Sequence, residues 1–388
     1  MRRTMSRGLA LSLAIGAVVG VGLAFGCGGG SAHLLEAPAV ARSSGAALHV
    51  AWSENTGTSV MLEHRPREVG GVSISSDGRT ALVATSGGEL IGFDSLDGTV
   101  RWRNRYGAAL ATRAAISGSE AFIGLPDGTI RSLDASSGRE RWRYQAPCVF
   151  GGTPAVGENL VLVIGSNSVL YALDRHTGAL AWRFERPRAG DLVVQGEGTP
   201  LITDDAIYAG FSDGSFARLT HQGALEWVTD LSNGRRRLVD VDATPLNIGT
   251  TIYTASFAGG LVALHSDDGR LIWRDEDMTG ASSPLWLGSE LFSVSDRGVA
   301  RWYNPETGAV RRQLELERGG AGSPVLMGPY ILVPSTQSGL FVIDREAAWI
   351  HSRFDGRAGF STQPAVAGNR FFAISERGFV YGVDVYSL

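Results

Sequence analysis

The sequence predicts an all-β fold: an eight-bladed β-propeller of four-stranded antiparallel blades, the last closed by an N-terminal strand. Three observations carry this reading. The first is a repeat. Val169 to Trp182 reads VLYALDRHTGALAW: an apolar strand, a stop at Asp174, a turn at Thr177-Gly178 and a second strand bearing a Trp. The pattern returns at Leu90–Trp102, Ile130–Trp142, Phe216–Trp227 and Leu261–Trp273, each with a Gly four residues before the Trp. The Trp-to-Trp steps are 40, 40, 45 and 46 residues. A period near 40 built from short strands is the mark of a propeller.

The second observation is a Pro marker. Thr153-Pro154, Thr199-Pro200, Thr244-Pro245, Ser283-Pro284, Ser323-Pro324 and Gln363-Pro364 follow one another at 46, 45, 39, 40 and 40 residues. Pro is tolerated at the start of a strand and not inside a central one, so each is expected at the entrance of a blade's innermost strand. The third observation is an incomplete end. Pro364 to Leu388 supplies three strands and then stops. Leu48-His49-Val50-Ala51-Trp52 has the character of the missing outer strand. Pairing both ends in one blade shuts the ring and removes exposed edges. Two repeats depart from the pattern. Arg312 stands at the Trp place after Thr307-Gly308, and the seventh repeat runs from Asp344 to Trp349 without the Gly.

Residues 1–26 have the form of an export signal. Arg2, Arg3 and Arg7 precede the apolar stretch Gly8–Phe25, which ends at Gly26-Cys27. An uncleaved membrane anchor is the alternative, since 18 apolar residues can just span. Residues 27–45 read as a flexible tether reaching about 60 Å when extended. Residues 46–388 form the propeller. The chain contains no lysine, which excludes Schiff-base and phosphate-loop lysine chemistry. Its formal net charge of −4 argues against nucleic acid as a partner.

The repeat swells twice, at 188–200 and 232–245. Insertions in repeat folds gather in loops on one face, often the binding face. Both swellings end at a Thr-Pro, so they are expected on one rim in adjacent blades. Gly210-Phe211-Ser212-Asp213-Gly214 fits the G-x-S-x-G pattern of serine hydrolases, which needs a strand-to-helix turn. Here it falls at a hairpin turn. The seven His show no metal-ligand spacing on one element. Asp240 and Asp242 share one side of an extended segment, where a surface role is expected. Cys148 reads as a small buried residue. The repeated Trp102, Trp142, Trp182, Trp227 and Trp273 read as packing between blades, because five equivalent aromatics fit a repeated core contact better than five ligand platforms. The residues point to no cofactor, metal or catalytic centre.

Resemblances add to this. The stretch ending in Cys27 resembles a bacterial lipobox, with Ala24 and Phe25 where the pattern prefers Leu and a small residue. The resemblance implies acylation of Cys27, and Gly28 after it implies sorting to the outer membrane. The Leu-Asp-x-x-Thr-Gly-x-x-x-Trp unit resembles the repeat of quinoprotein alcohol dehydrogenases, which implies a pyrroloquinoline quinone enzyme as the alternative. This chain lacks their Cys-Cys pair. The fuller resemblance is to the BamB family of lipoproteins of the outer-membrane β-barrel assembly machinery. It rests on the lipoprotein start, the eight blades, the shared last blade and two loops. Leu192-Val193-Val194-Gln195-Gly196-Glu197 stands where that family has Leu-x-Leu-Arg-Gly-Glu, and Arg237 to Pro245 where it has Arg-Leu-x-Asp-Val-Asp-x-Thr-Pro. The resemblance implies a non-catalytic scaffold facing the periplasm. Leu192, Val194, Gln195, Asp240 and Asp242 would bind the periplasmic domains of a BamA-like central subunit, with unfolded outer-membrane proteins as further clients. Val194 replaces a Leu and Gln195 an Arg.

Overall fold

The computed structural model describes residues 46–56, 70–187, 198–317 and 319–387. Within them every element is a strand, and the strands form eight four-stranded sheets. Blade 1 comprises Val72–Ile74, Thr80–Ala84, Glu89–Asp94 and Val100–Arg105. Blades 2 to 7 span 115–145, 155–185, 201–230, 246–275, 285–315 and 325–354. Each is a meander of antiparallel hairpins. First strands of neighbouring blades touch around the axis, as those of blades 8, 1, 2, 3 and 4 do in turn. Pro154, Pro200, Pro245, Pro284, Pro324 and Pro364 each sit one residue before such a first strand.

Blade 8 is made from both ends of the chain. Ala46–Asn55 pairs antiparallel with Phe379–Ser387, which pairs in turn with Arg370–Ile374. Arg370 ties this blade to blade 1: its Nη1 donates to the Ser95 and Leu96 carbonyls at 3.0 and 2.8 Å, and its Nε to Asp384 at 2.7 Å. The signal, Cys27 and tether assignments fall outside the described residues.

The core lies between blades. Second and third strands, such as Thr80–Ala84 and Val169–Asp174, are buried almost throughout, and outer strands such as Leu180–Glu185 alternate exposed with half-buried. Sheets covered on both faces need near-continuous apolar runs, and this is why LVLVI and VLYAL do not alternate. Leu162, Leu170 and Ala172 of blade 3 pack on Ile207, Ala209 and Ala217 of blade 4, and the other junctions repeat this.

The Gly–Trp pairing of the repeat has a structural cause that crosses blades. Trp142 donates Nε1–H to the Arg175 carbonyl of blade 3 at 2.8 Å, and its ring lies on Gly178 of the same turn. A Cβ on Gly178 would come within 2.5 Å of that ring, and Gly178 also has φ +74°. Trp52, Trp102, Trp182, Trp227 and Trp273 make the same bond, to the carbonyls of Ser95, Ala135, His221, Ser266 and Pro305. In every blade the outer strand carries a β-bulge one residue before the Trp place, at Arg101 in blade 1 and Ala51 in blade 8. A bulge re-aims the side chain that follows it, here toward the next blade.

The two irregular repeats resolve differently. Arg312 does occupy the Trp place, opposite Trp302. Trp302, one strand further in, supplies the missing ring and donates to the Arg345 carbonyl at 3.1 Å. Without an outer Trp pressing on it, the turn of blade 7 accepts Ala348 where the others have Gly, at φ 54°. Trp349 is not the packing residue of blade 7. It is 43% exposed, and the bulge puts buried Ser352 at the Trp place.

Candidate partner-docking rim

Both swollen segments join the outer strand of one blade to the inner strand of the next, blade 3 to 4 and blade 4 to 5. The second lies at the end of the ring that also carries the turns between second and third strands. Leu231 N donates to the Gly214 carbonyl at 2.8 Å, and Val241 N to Phe211 at 3.2 Å. The two segments meet, because a Cβ on Gly198 would stand 3.0 Å from the Asp242 carbonyl oxygen. Gly210 likewise presses on the backbone of Val241. Leu192, Val194 and Gln195 fall outside the described residues.

The second swelling is held at both ends. Ser232 N donates to Asp230 Oδ1 at 2.8 Å and Arg235 N to the Ser232 carbonyl at 3.0 Å. Further on, Ser256 Oγ donates to the Val239 carbonyl at 2.8 Å, and Phe257 N to that of Asp240 at 2.9 Å. Between these anchors Asn233, Gly234 and Leu238 take left-handed backbone, with φ of 54°, 73° and 55°.

This corrects one expectation. Asp240 is 2% exposed, so its carboxylate is not displayed on the surface. The segment lays Val241 over Gly210 and Val239 over Gly214, with Asp240 buried between them and Asp242 half-buried. Burial raises the Asp242 carboxyl to about 7, and the nearby Asp240 charge adds to the rise. Arg235, Arg236 and Arg237, at the crest of the loop, are exposed. The sequence reading passed over this triplet, although three cations in a row inside a swollen loop is a legible signal.

The remaining candidates separate from the rim. Gly210–Gly214 is the hairpin turn between Ile207–Gly210 and Ser215–Leu219, with no helix after it. Ser212 Oγ sits 3.0 Å from Ser168 Oγ of blade 3. Cys148, expected to be buried, is half-buried beside Gly165. The five repeated Trp lie in the blade junctions described above. Among the described residues no group of three His, Cys, Asp or Glu converges to hold a metal ion.

Comparison with known proteins agrees with this architecture. The family model for the outer membrane protein assembly factor BamB matches residues 36–147 and 87–314. BamB of Legionella pneumophila is 27% identical over 204 residues, covering 51% of this chain and 53% of that protein. BamB of Shewanella oneidensis is 28% identical over 204 residues, covering 48% and 49%. The match thus spans about half the length of these relatives. The crystal structure of BamB from Moraxella catarrhalis superposes with a TM-score of 0.73 at 22% identity, covering 87% of this chain and 100% of that one. A europium-containing methanol dehydrogenase shares the fold at a TM-score of 0.66 and 12% identity, covering 87% and 76%. Between them the two family matches run from residue 36 to residue 314, well over half the sequence, and the chain belongs to the outer membrane protein assembly factor BamB family.

Proposed function

We propose that this chain is a non-catalytic scaffold of outer-membrane protein assembly, and that its swollen rim docks the periplasmic domains of a BamA-like central subunit. One observation carries the reading. Two inter-blade connections are enlarged, they are neighbours, and Gly198 of one rests on Asp242 of the other. Two loops in contact make one composite surface, which is what a domain-sized partner requires. Leu192 and Val194 would supply its apolar anchor and Gln195 a polar contact. Asp240, buried, would set the path of the loop, and Asp242 would reach the partner from the margin. On this reading Cys27 carries the lipid, the protein sits on the outer membrane facing the periplasm, and unfolded outer-membrane proteins are possible clients.

The test is co-purification from solubilised envelope. Leu192→Ala with Val194→Ala, and separately Asp242→Ala, should lose the central subunit while keeping the far-UV spectrum of the native protein. Unchanged recovery with both variants would remove the rim from the account. Labelling with radioactive palmitate, abolished by Cys27→Ser, checks the anchor.

A further inference from the structure

We propose that Arg235, Arg236 and Arg237 form a cationic docking point for an acidic segment of a protein partner. The proposal rests on the reading of this rim as the partner-facing one and adds the chemistry of what it grips. All three residues are exposed, and among the described residues none of their side chains makes a hydrogen bond or an ion pair. Most other described arginines do: Arg131, Arg175, Arg218, Arg301 and Arg370 each reach a carboxylate on their own or an adjoining blade. Three adjacent like charges repel one another, and an exposed run of this kind is free to be left solvated on a mobile tip. Here the run lies between backbone anchors. The anchors at Ser232 and Val239 and the left-handed turns at Asn233, Gly234 and Leu238 fix the crest.

The surroundings complete the site. Arg274, from the outer strand of blade 5, donates to the carbonyls of Leu231 at 3.0 Å and Gly259 at 2.7 Å, and its charge is close enough to Arg235 for the two to repel. Asp230 and Glu276 are the neighbouring acids; Asp230 is engaged by Ser232 N, and neither bridges to the triplet. Leu238, 41% exposed, places an apolar side chain beside the cations. Arginine next to an exposed apolar residue is the composition of protein interfaces, and a guanidinium fork matches a carboxylate with two parallel bonds. An anionic membrane is a poorer fit. The body of the chain is acidic, with the formal net charge already −4 when these three cations are counted, so a broad anionic plane meets repulsion. Ala46 also enters blade 8 at the opposite end of the strands, where it pairs with Ser387 beyond the third strand's exit.

The experiment measures association of the full chain with the purified periplasmic domains of the central assembly subunit from the same organism, at low and high salt. R235S/R236S/R237S should fold with a melting curve close to that of wild type, since the exposed side chains make no ion pair among the described residues. Its association rate should fall about tenfold at low salt, and the difference should close as salt screens the charges. R235E/R236E/R237E should fall further. An unchanged rate and salt slope in the serine variant would overturn the proposal while leaving the docking rim intact. If the wild-type chain does not bind these domains at all, the rim reading fails and the proposal with it. Binding of wild type, but not the serine variant, to phosphatidylglycerol vesicles with partner binding unaffected would also overturn it, by making the triplet a lipid contact.

Discussion

Gly178 does two things at once, and each alone demands glycine. Its φ of +74° costs an L-residue about 1 kcal/mol or more, and the Trp142 ring occupies the space a Cβ would need. Gly178→Ala should therefore destabilise the protein by about 2–4 kcal/mol in urea unfolding. Ala348 is the natural control. It holds the same turn at φ 54° with no outer Trp against it, so Ala348→Gly should be neutral or stabilising by about 1 kcal/mol. The spacing of Gly and Trp was visible in the sequence, but its meaning was not. The two partners of each contact lie about forty residues apart, in consecutive repeats, and a single repeat read alone suggests a turn and nothing more. Asp242 offers a second test at this scale. Its carboxyl is raised from 3.8 to about 7 in the folded chain, because burial disfavours its charge. The stability it contributes is whole below about pH 4 and is lost as pH rises through 7. Wild type should thus lose stability relative to Asp242→Asn between about pH 4 and pH 7, read as a widening gap in melting temperature. A constant gap would place the carboxylate in water.

The strand that matters most is Ala46–Asn55. It covers the edge of Phe379–Ser387, and its Trp52 packs on Gly98 of blade 1 exactly as a preceding blade's Trp would, so the ring has no terminal repeat. Deleting residues 46–56 should leave an open edge and an unpacked turn. The product should form oligomers whose size grows with concentration in size-exclusion chromatography, whereas Trp52→Ala alone should remain monomeric and less stable. Element boundaries of this kind were largely legible: the blade count, the proline before each inner strand and the borrowed outer strand all follow from spacing. The bulge before each Trp place was not, because one extra residue in a strand leaves no mark on composition. Trp349 misled for a different reason. It looks like the repeat's Trp, but it follows Ala348, which holds the Gly position, by one residue instead of four, and Ser352 takes the Trp place. The burial of Asp240 was hidden as well: alternation predicts which residues share a side, and cannot tell which side faces the glycine-lined turns beneath.

At the scale of the whole molecule, blade 8 and blades 1 to 6 each pack a Trp against the following blade, and only from blade 7 to blade 8 does buried Ser352 stand at that place. Losing any of blades 1 to 7 would expose the Trp that the preceding blade packs on it. Tryptophan fluorescence and far-UV circular dichroism should therefore report a single coincident unfolding transition, unlike an open solenoid that frays from its ends. Two separated transitions would show that the junctions are weaker than their packing implies. The rim, by contrast, is peripheral to this cooperativity, so it tolerates change: the residues between anchors at Ser232 and Val239 carry charge without carrying the fold.

Because one sheet is shared by both ends of the chain, synthesis order and assembly order run in opposite directions. The strand at Ala46–Asn55 emerges ahead of every other described strand and finds its mate in Phe379–Ser387, the last. Throughout the interval it is an orphan with an adhesive edge. The edge stays open until Phe379–Ser387 arrives to close it.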